Sequence, residues 1–377
     1  MNKDIYAYAG KILRINLSNG QISYEPTLKY AREWLGSSGI AIKTLYDELK
    51  SWVTPYDPMN KLIISAGALV GTPAPGANKM NISTLGPVTG GWASSCSDSY
   101  VGGQLKRAGF DSVIVEGKAH QPVYLWISDK GIEIRDASHL WGKTTWETLD
   151  LLREELNDRA LHAISIGPAG ENLVRGACAI QDKGRAFGRC GIGAVMGSKN
   201  LKAIVAKGSG SIKVADPDRF MEAVIKAHKM FDKVENIEEV RNYGTHCCYE
   251  TKQEVCGISW KNFQECRLPD ELVDKLDPRK AVAKYEVRRQ SFPGCGFGGC
   301  GRHLYITEGP YAGLETESCQ WEVFGTLQAR LAVEDPTFML KANALCNQLG
   351  VDVDAAGGAI GWAMECYEKG IINEKDT

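Results

Sequence analysis

Alternating apolar and polar positions dominate the first half of the chain. Lys11-Ile-Leu-Arg-Ile-Asn-Leu17 and Gln21-Ile-Ser-Tyr24 flank Ser18-Asn19-Gly20, which predicts a β-hairpin. Val123–Ile127 and Ile132–Ile134, turning at Asp129-Lys130-Gly131, predict a second. Leu62–Ser65 and Val113–Val115 are short apolar runs bounded by turn residues, the pattern of buried strands. A helical period first appears at Trp146, Leu149, Leu152 and Leu156, behind a capping signal of Thr144, Thr145 and Glu147. After Gly208-Ser-Gly210 the helical period takes over. Asp216-Pro217 is a helix start with Phe220, Val224 and Phe231 at helical spacing, and Asp335-Pro336 repeats that start, with Gly350 as its stop. A last helix is expected from Asp354 to Lys369-Gly370, whereas 232–290 is polar and irregular and takes no assignment. A domain boundary near 210 follows, with a β-rich domain over 1–210 and a mainly helical one over 211–377.

The β-rich part contains an internal echo. Ile63-Ile-Ser-Ala-Gly67 is matched by Ala163-Ile-Ser-Ile-Gly167. Gly102-Gly-Gln-Leu-Lys-Arg-Ala-Gly109, followed by Val113-Ile-Val-Glu-Gly117, is matched by Gly193-Ala-Val-Met-Gly-Ser-Lys-Asn200, followed by Ile204-Val-Ala-Lys-Gly208. Gly109 and Asn200 fall at the same place, and both residue types accept the left-handed conformation that ends a helix. Each half reads as strand, glycine-rich loop, short helix, strand. Two such halves under a pseudo-two-fold axis would present two similar ligand cradles.

Composition narrows the chemistry. Of 377 residues, 44 are Lys or Arg and 46 Asp or Glu, so no bulk field favours nucleic acid or an anionic membrane. No apolar run approaches the ~20 residues of a membrane span. The start, Met1-Asn2-Lys3-Asp4, has no apolar signal core. A cytoplasmic protein without nucleic-acid or membrane partners is the expectation. Twelve cysteines then read as small buried side chains with a few metal ligands, not as a disulfide framework.

The densest motif is Gly184-Arg-Ala-Phe-Gly-Arg-Cys-Gly-Ile-Gly-Ala-Val-Met-Gly197. It lacks the spacing of a dinucleotide fingerprint, and no Walker A pattern is present. Arg185 and Arg189, beside glycine-rich backbone at an expected helix start, suit a phosphate or another polyanion. In the first half, Thr72-Pro-Ala-Pro-Gly-Ala-Asn-Lys79 offers one cation, Lys79. Cys295-Gly-Phe-Gly-Gly-Cys300, with His303 nearby, is the best metal candidate, though two thiolates do not complete a zinc or cubane site. Glu315-Thr316-Glu317 would put two carboxylates on one side of an extended chain, about 6–7 Å apart, fit for proton transfer or simply a solvated acidic loop.

Together these segments resemble the tungsten-containing aldehyde:ferredoxin oxidoreductase family. The likeness runs along nearly the whole chain. It is dense at 66–75, 105–118, Ile134-Arg-Asp-Ala-Ser-His139, Ile166-Gly-Pro-Ala-Gly-Glu-Asn-Leu173 and 191–204, and it covers roughly the first three fifths of a family member. The resemblance implies an α+β fold: an N-terminal pterin-base domain with pseudo-two-fold β-rich halves, then a mainly α-helical second domain, incomplete relative to the family. It implies a tungsten-bis(pyranopterin), a [4Fe-4S] cluster and Mg2+ bridging the pterin phosphates. It implies oxidation of aldehydes to carboxylic acids, with ferredoxin or another iron–sulfur protein as electron acceptor, and a second chain or a homo-oligomer to complete the site. A subunit of a benzoyl-CoA-type reductase and a non-catalytic scaffold are the rivals.

By the same resemblance, Arg185 and Ala186 match positions near the pterin phosphates and magnesium, Lys79 matches a residue between cluster and pterin, and Asn81, Gly188 and Arg189 are further cofactor-binding positions. Lys79 stands where the family has arginine, which keeps the charge and loses the fork. Asn347, Gly350 and Asp352 match a pterin signature whose leading aspartate is here Asn347. Glu317, with Glu315 beside it, matches a glutamate proposed to act near tungsten. Cys295 and Cys300 are the cluster thiols, and Phe292 stands in the first cysteine position.

Overall fold

The computed structural model describes residues 5–292, 294–297 and 301–376. The chain forms two compact units. The first runs to Asp232 and takes back Phe292–Gly296 and Asn347–Val351; the second holds the remainder.

The first half of unit one contains β1 (Lys11–Asn16), β2 (Gln21–Pro26), α1 (Leu28–Trp34), α2 (Ser38–Glu48), β3 (Leu62–Ala66), β4 (Lys79–Leu85), β5 (Trp92–Asp98), α3 (Tyr100–Arg107) and β6 (Ser112–Glu116). The second half contains β7 (Val123–Ser128), β8 (Gly131–Asp136), α4 (Thr145–Glu155), β9 (Ala163–Ser165), α5 (Pro168–Glu171), β10 (Ala179–Gln181), β11 (Arg185–Phe187), α6 (Ile192–Ser198) and β12 (Leu201–Lys207). α7 (Pro217–Phe231) closes the unit. Both predicted hairpins form, β1–β2 and β7–β8.

The strand orders are β2-β1-β6-β3-β4-β5 and β8-β7-β12-β9-β10-β11. Strand for strand they are the same topology, each with one parallel pair, β1–β6 and β7–β12. The repeated motif therefore marks a duplicated sheet. Gly109 (φ +97°) and Asn200 (φ +56°) both take the left-handed conformation that ends the motif's helix.

One core lies between the sheets. Leu13, Ile64, Ile82 and Val113 of the first meet Leu125, Ile164, Phe187 and Ile204 of the second. The motif helices cross over: α3 packs on β12 and α6 on β4. α1 and α2 cover the outer face of the first sheet through Tyr30, Ile40 and Leu45, and α4 covers that of the second through Leu149 and Leu152. A capping box between Thr144 and Glu147 starts α4, as its sequence predicts. Asp216 caps α7, whose Val224 packs on Ala74 and Ala77.

Unit two contains α8 (Ile237–Tyr243), α9 (Tyr249–Glu254), α10 (Asp270–Val273), α11 (Pro278–Tyr285), β13 (Glu286–Gln290), β14 (Gly301–Tyr305) and β15 (Glu315–Glu317). α12 (Trp321–Val323), running into a π-helical turn at Phe324–Ala329, then α13 (Phe338–Leu349) and α14 (Val353–Glu368) follow, although the end of α13 belongs to unit one. Three expectations change. The unassigned stretch 232–290 holds four short helices and a strand. Asp335 caps the Thr337 amide at 2.8 Å, so α13 starts two residues after Pro336. A small antiparallel sheet, β13-β14-β15, stands within the mainly helical part. Among the described residues, no helix is long and apolar enough to cross a membrane.

Candidate functional site

In unit one the duplicated sheets bring matching edge strands, β5 and β11, into contact. Polar groups stitch the seam. The Arg189 amide donates to Ser95 Oγ at 3.3 Å, and the Ser99 hydroxyl bonds Gln181 Oε1. Gln181 is paired in register with Arg185. Lys79, first residue of β4, lies opposite Asp98 and pairs with its carboxylate at 2.7 Å, while its own side chain stays 60% exposed.

The returning segment Phe292–Gly296 joins the two halves. Phe292, 6% exposed, lies 4.6 Å from the Arg185 guanidinium and 4.9 Å from the Tyr100 ring. Tyr100 stacks on His162 at 4.2 Å, and His162 Nδ1 meets Asp182 at 2.7 Å. Two residues on, the Gly294 carbonyl accepts from the Gly76 amide at 2.6 Å. The loop ending at Lys79 and the strand carrying Arg185 thus meet through one five-residue segment.

Arg185 sits on β11, not at a helix start as its motif suggests. α6 begins only at Ile192, and its residues are all buried. The reason is packing: a Cβ at Gly193 would lie 2.3 Å from the Cys178 carbonyl, so these glycines serve close backbone contact. Ala186 is paired with Ile180 beside Arg185, and Gly188 is open enough that an added Cβ meets only Ala186, at 3.6 Å. Asn81 is fully buried, its amide spent on Ser94 Oγ and Cys96 Sγ and its carbonyl on Ser83.

Asn347–Val351 docks on the second half. The Thr145 hydroxyl donates to the Asn347 carbonyl at 2.7 Å, and the Cys178 amide to the Gly350 carbonyl at 2.8 Å. Asp352 caps α14 through the Asp354 amide. The Cys295 amide donates to the Phe292 carbonyl at 3.0 Å; Cys300 lies outside the described residues. Among the described residues, no three His, Cys, Asp or Glu side chains are grouped to hold a metal ion.

In unit two, Glu315 and Glu317 lie on strand β15 as expected, on one face of the sheet. The strand register puts His303 directly opposite Glu317, and His303 Nε2 reaches Glu315 Oε1 at 2.7 Å. Beneath, His246 and Cys319 are buried with Nε2 and Sγ 3.6 Å apart. Burial pushes His246 down to about 4 and the Cys319 thiol up to about 12, so both are neutral and the thiol is no nucleophile.

Sequence reasoning missed the Phe292–Tyr100–His162 stack and the pairing of His303 with Glu315. The strand pattern around 301–305, once seen, would have disclosed the second.

The family described as aldehyde ferredoxin oxidoreductase, N-terminal domain, matches residues 12–208, and domains 2 and 3 of the same family match 222–377. The chain is 41% identical over 374 residues to the tungsten-containing aldehyde ferredoxin oxidoreductase of Pyrococcus furiosus, covering 99% of this chain and 61% of that one. It is 30% identical to the WOR-like subunit of an aliphatic sulfonate oxidoreductase of the same organism, covering 99% and 61%. Among solved structures, the active-site complex BamBC of benzoyl coenzyme A reductase, bound to 1,5-dienoyl-CoA, superposes with a TM-score of 0.86 at 31% identity, over 98% of this chain and 57% of that one. The chain spans about three fifths of the length of the curated relatives it matches.

Proposed function

This chain belongs to the aldehyde ferredoxin oxidoreductase family, and from that premise we propose that it works in the oxidation of an aldehyde and water to a carboxylic acid, two protons and two electrons, with ferredoxin as acceptor. What supports the reading is the seam where β5 meets β11: Lys79 pairs with Asp98 at the end of β5, Arg185 lies on β11 with its guanidinium 4.6 Å from the Phe292 ring, and the Arg189 amide bonds Ser95 of β5. Cationic residues carried by both halves, Lys79 on β4 and Arg185 on β11, beside open backbone at Gly188, fit an anionic ligand. In this reading the halves are related by a pseudo-two-fold axis, and residues of each, Lys79 in one and Arg185 in the other, would hold the anionic part of the cofactor together with Mg2+.

A tungsten-bis(pyranopterin), when bound, supplies the two-electron chemistry. Arg185 presents its fork to a phosphate, held in plane by the Phe292 ring beneath it. Lys79 supplies a point charge, tethered by Asp98. Asn347, in the last turn of α13, and Gly350, just after it, would hold a pterin edge. Glu317 takes up a proton released in the reaction, with Glu315 as its neighbour. For an iron–sulfur cluster, the described residues gather no complete set of thiols. Cys295 and Cys300 are two thiols where four are needed, and no electron-transfer step is assigned to them.

Tungsten and pterin analysis of the holoprotein, purified anaerobically from tungstate-grown cells, tests this. Both are expected in the wild type. Arg185→Ala, by losing charge-assisted bonds of about 1.5–3 kcal/mol, lowers pterin retention about 10–100-fold. A wild-type protein free of tungsten and pterin overturns the proposal. The likeness to BamBC favours a second reading, a subunit that reduces an aromatic acyl-CoA ester. Assay of short aldehydes against benzoyl-CoA, with viologen dyes, separates the two.

A further inference from the structure

The sheet of unit two is built as a two-faced layer. On β14, Arg302 and Leu304 are buried, and between Glu315 and Glu317 on β15 so is Thr316. These side chains anchor one face. The alternate positions form the other: Arg288 of β13, His303 and Tyr305 of β14, Glu315 and Glu317 of β15. Arg288, His303 and Glu317 stand in one cross-strand row, and Tyr305 and Glu315 form the next. Exposure rises along this face. Glu317 is half-buried, the His303 side chain is 19% exposed, and that of Glu315 is 65% exposed.

We propose that His303 is the proton carrier that connects Glu317 to solvent through Glu315. The inference rests on the proposed aldehyde oxidation, which releases protons that must leave the site. Opposed residues on antiparallel strands have Cβ atoms about 4.5–5.5 Å apart, within reach of a glutamate and an imidazole. In its Nε2–H tautomer the ring gives that proton to Glu315 Oε1, 2.7 Å away, and Nδ1 is left to accept. A proton on the Glu317 carboxyl passes to Nδ1, and the imidazolium passes its Nε2 proton to Glu315, which loses it to water. Exchange with water, which takes the Nδ1 proton and returns one to Nε2, restores the starting tautomer. No oxidant or reductant enters these steps. Among the described residues of these strands, Arg288 and Tyr305 are the other titratable groups on this face. A purely structural role is a poor account of the pair, because a carboxylate this exposed adds at most about 1 kcal/mol to stability.

Two measurements decide it. Long-range 1H–15N spectra of the full, cofactor-free chain near pH 8 report the His303 tautomer, assigned by its loss in His303→Gln. The Nε2–H form is expected to dominate, and Glu315→Leu is expected to turn it into a tautomer mixture with little change in melting temperature. An identical spectrum in the variant overturns the pairing, whatever the enzyme does. In the holoprotein, His303→Ala is expected to lower kcat about 10–100-fold at unchanged KM, with added imidazole restoring kcat in proportion to its concentration. Loss of activity without rescue, or no loss, overturns the carrier role. A pinned tautomer in a holoprotein that turns over no aldehyde overturns the proposed function, and the carrier role falls with it.

Discussion

At the residue scale, the Lys199 ammonium is 1% exposed and donates to three carbonyls, of Asn60 at 2.6 Å, Gly117 at 3.1 Å and Pro58 at 3.2 Å. Burial first, then the charge of Lys61, pushes it down to about 7, against the opposing pull of Glu116 and Asp57. Lys106 repeats the device in the other half, pushed down to about 8 by burial and donating to the carbonyls of Ala7, Gly67 and Ala68. The sign of the linkage is set. Between about pH 7 and the ordinary lysine value of 10.5, the unfolded chain binds more protons at this position than the folded one. Stability contributed here therefore rises with pH across that window, by at most about 1.4 kcal/mol per unit. Lys199→Met is expected to flatten the rise in denaturant stability between about pH 7.5 and 9.5, and to cost about 1–3 kcal/mol through its orphaned carbonyls. Equal slopes in the two proteins would refute the assignment. Neither lysine is readable as buried from the sequence, because its partners lie 38 to 141 residues away.

At the element scale, legibility followed the strength of local signals. The hairpins, the capping box of α4 and the start of α7 all combine a period with a turn or cap, and each is found where the letters place it. β14 escaped because Arg302, 1% exposed, occupies a position where alternation calls for an apolar residue. Its neighbour Gly301 continues a glycine-rich stretch that reads as loop. Much of 232–290 escaped because its helices are short, α10 having four residues, below the length at which a period declares itself. The duplicated helix ends are the clearest success, and they carry a test. Asn200 is left-handed and its amide also donates to the Ala119 carbonyl at 2.7 Å. Asn200→Val is expected to cost about 2–4 kcal/mol, since a β-branched residue resists that conformation and the bond is lost. Asn200→Gly, which keeps the conformation, is expected to cost clearly less in the same denaturant titration.

At the scale of the whole molecule, the proposed cradle draws on parts remote in sequence. Lys79 and Arg185 were legible as cations in glycine-rich company. What brings them together was not legible, because it depends on edge-to-edge contact of β5 with β11 and on the return of Phe292–Gly296. Asn347–Val351 is the other return, and Gly350 is its latch. Its φ is +70°, and an added Cβ would lie 2.9 Å from the Gly167 amide nitrogen. Gly350→Val is expected to release the latch. Hydrogen exchange at the Cys178 amide should then accelerate at least about tenfold, while amides of β1 and β2 keep their protection. Unchanged exchange at Cys178 would show that the return does not brace the second sheet.

The two returns also set a clock for synthesis. A ribosome that has translated Asp232 has made most of the first unit but not the strip that bridges its halves, nor the latch beneath the second sheet. Those arrive about sixty and about one hundred and twenty residues later. At 5–20 residues per second the nascent unit waits on the order of ten seconds, unfinished, before Val351 emerges. The first unit therefore reaches its full set of internal contacts only after elongation has passed Val351.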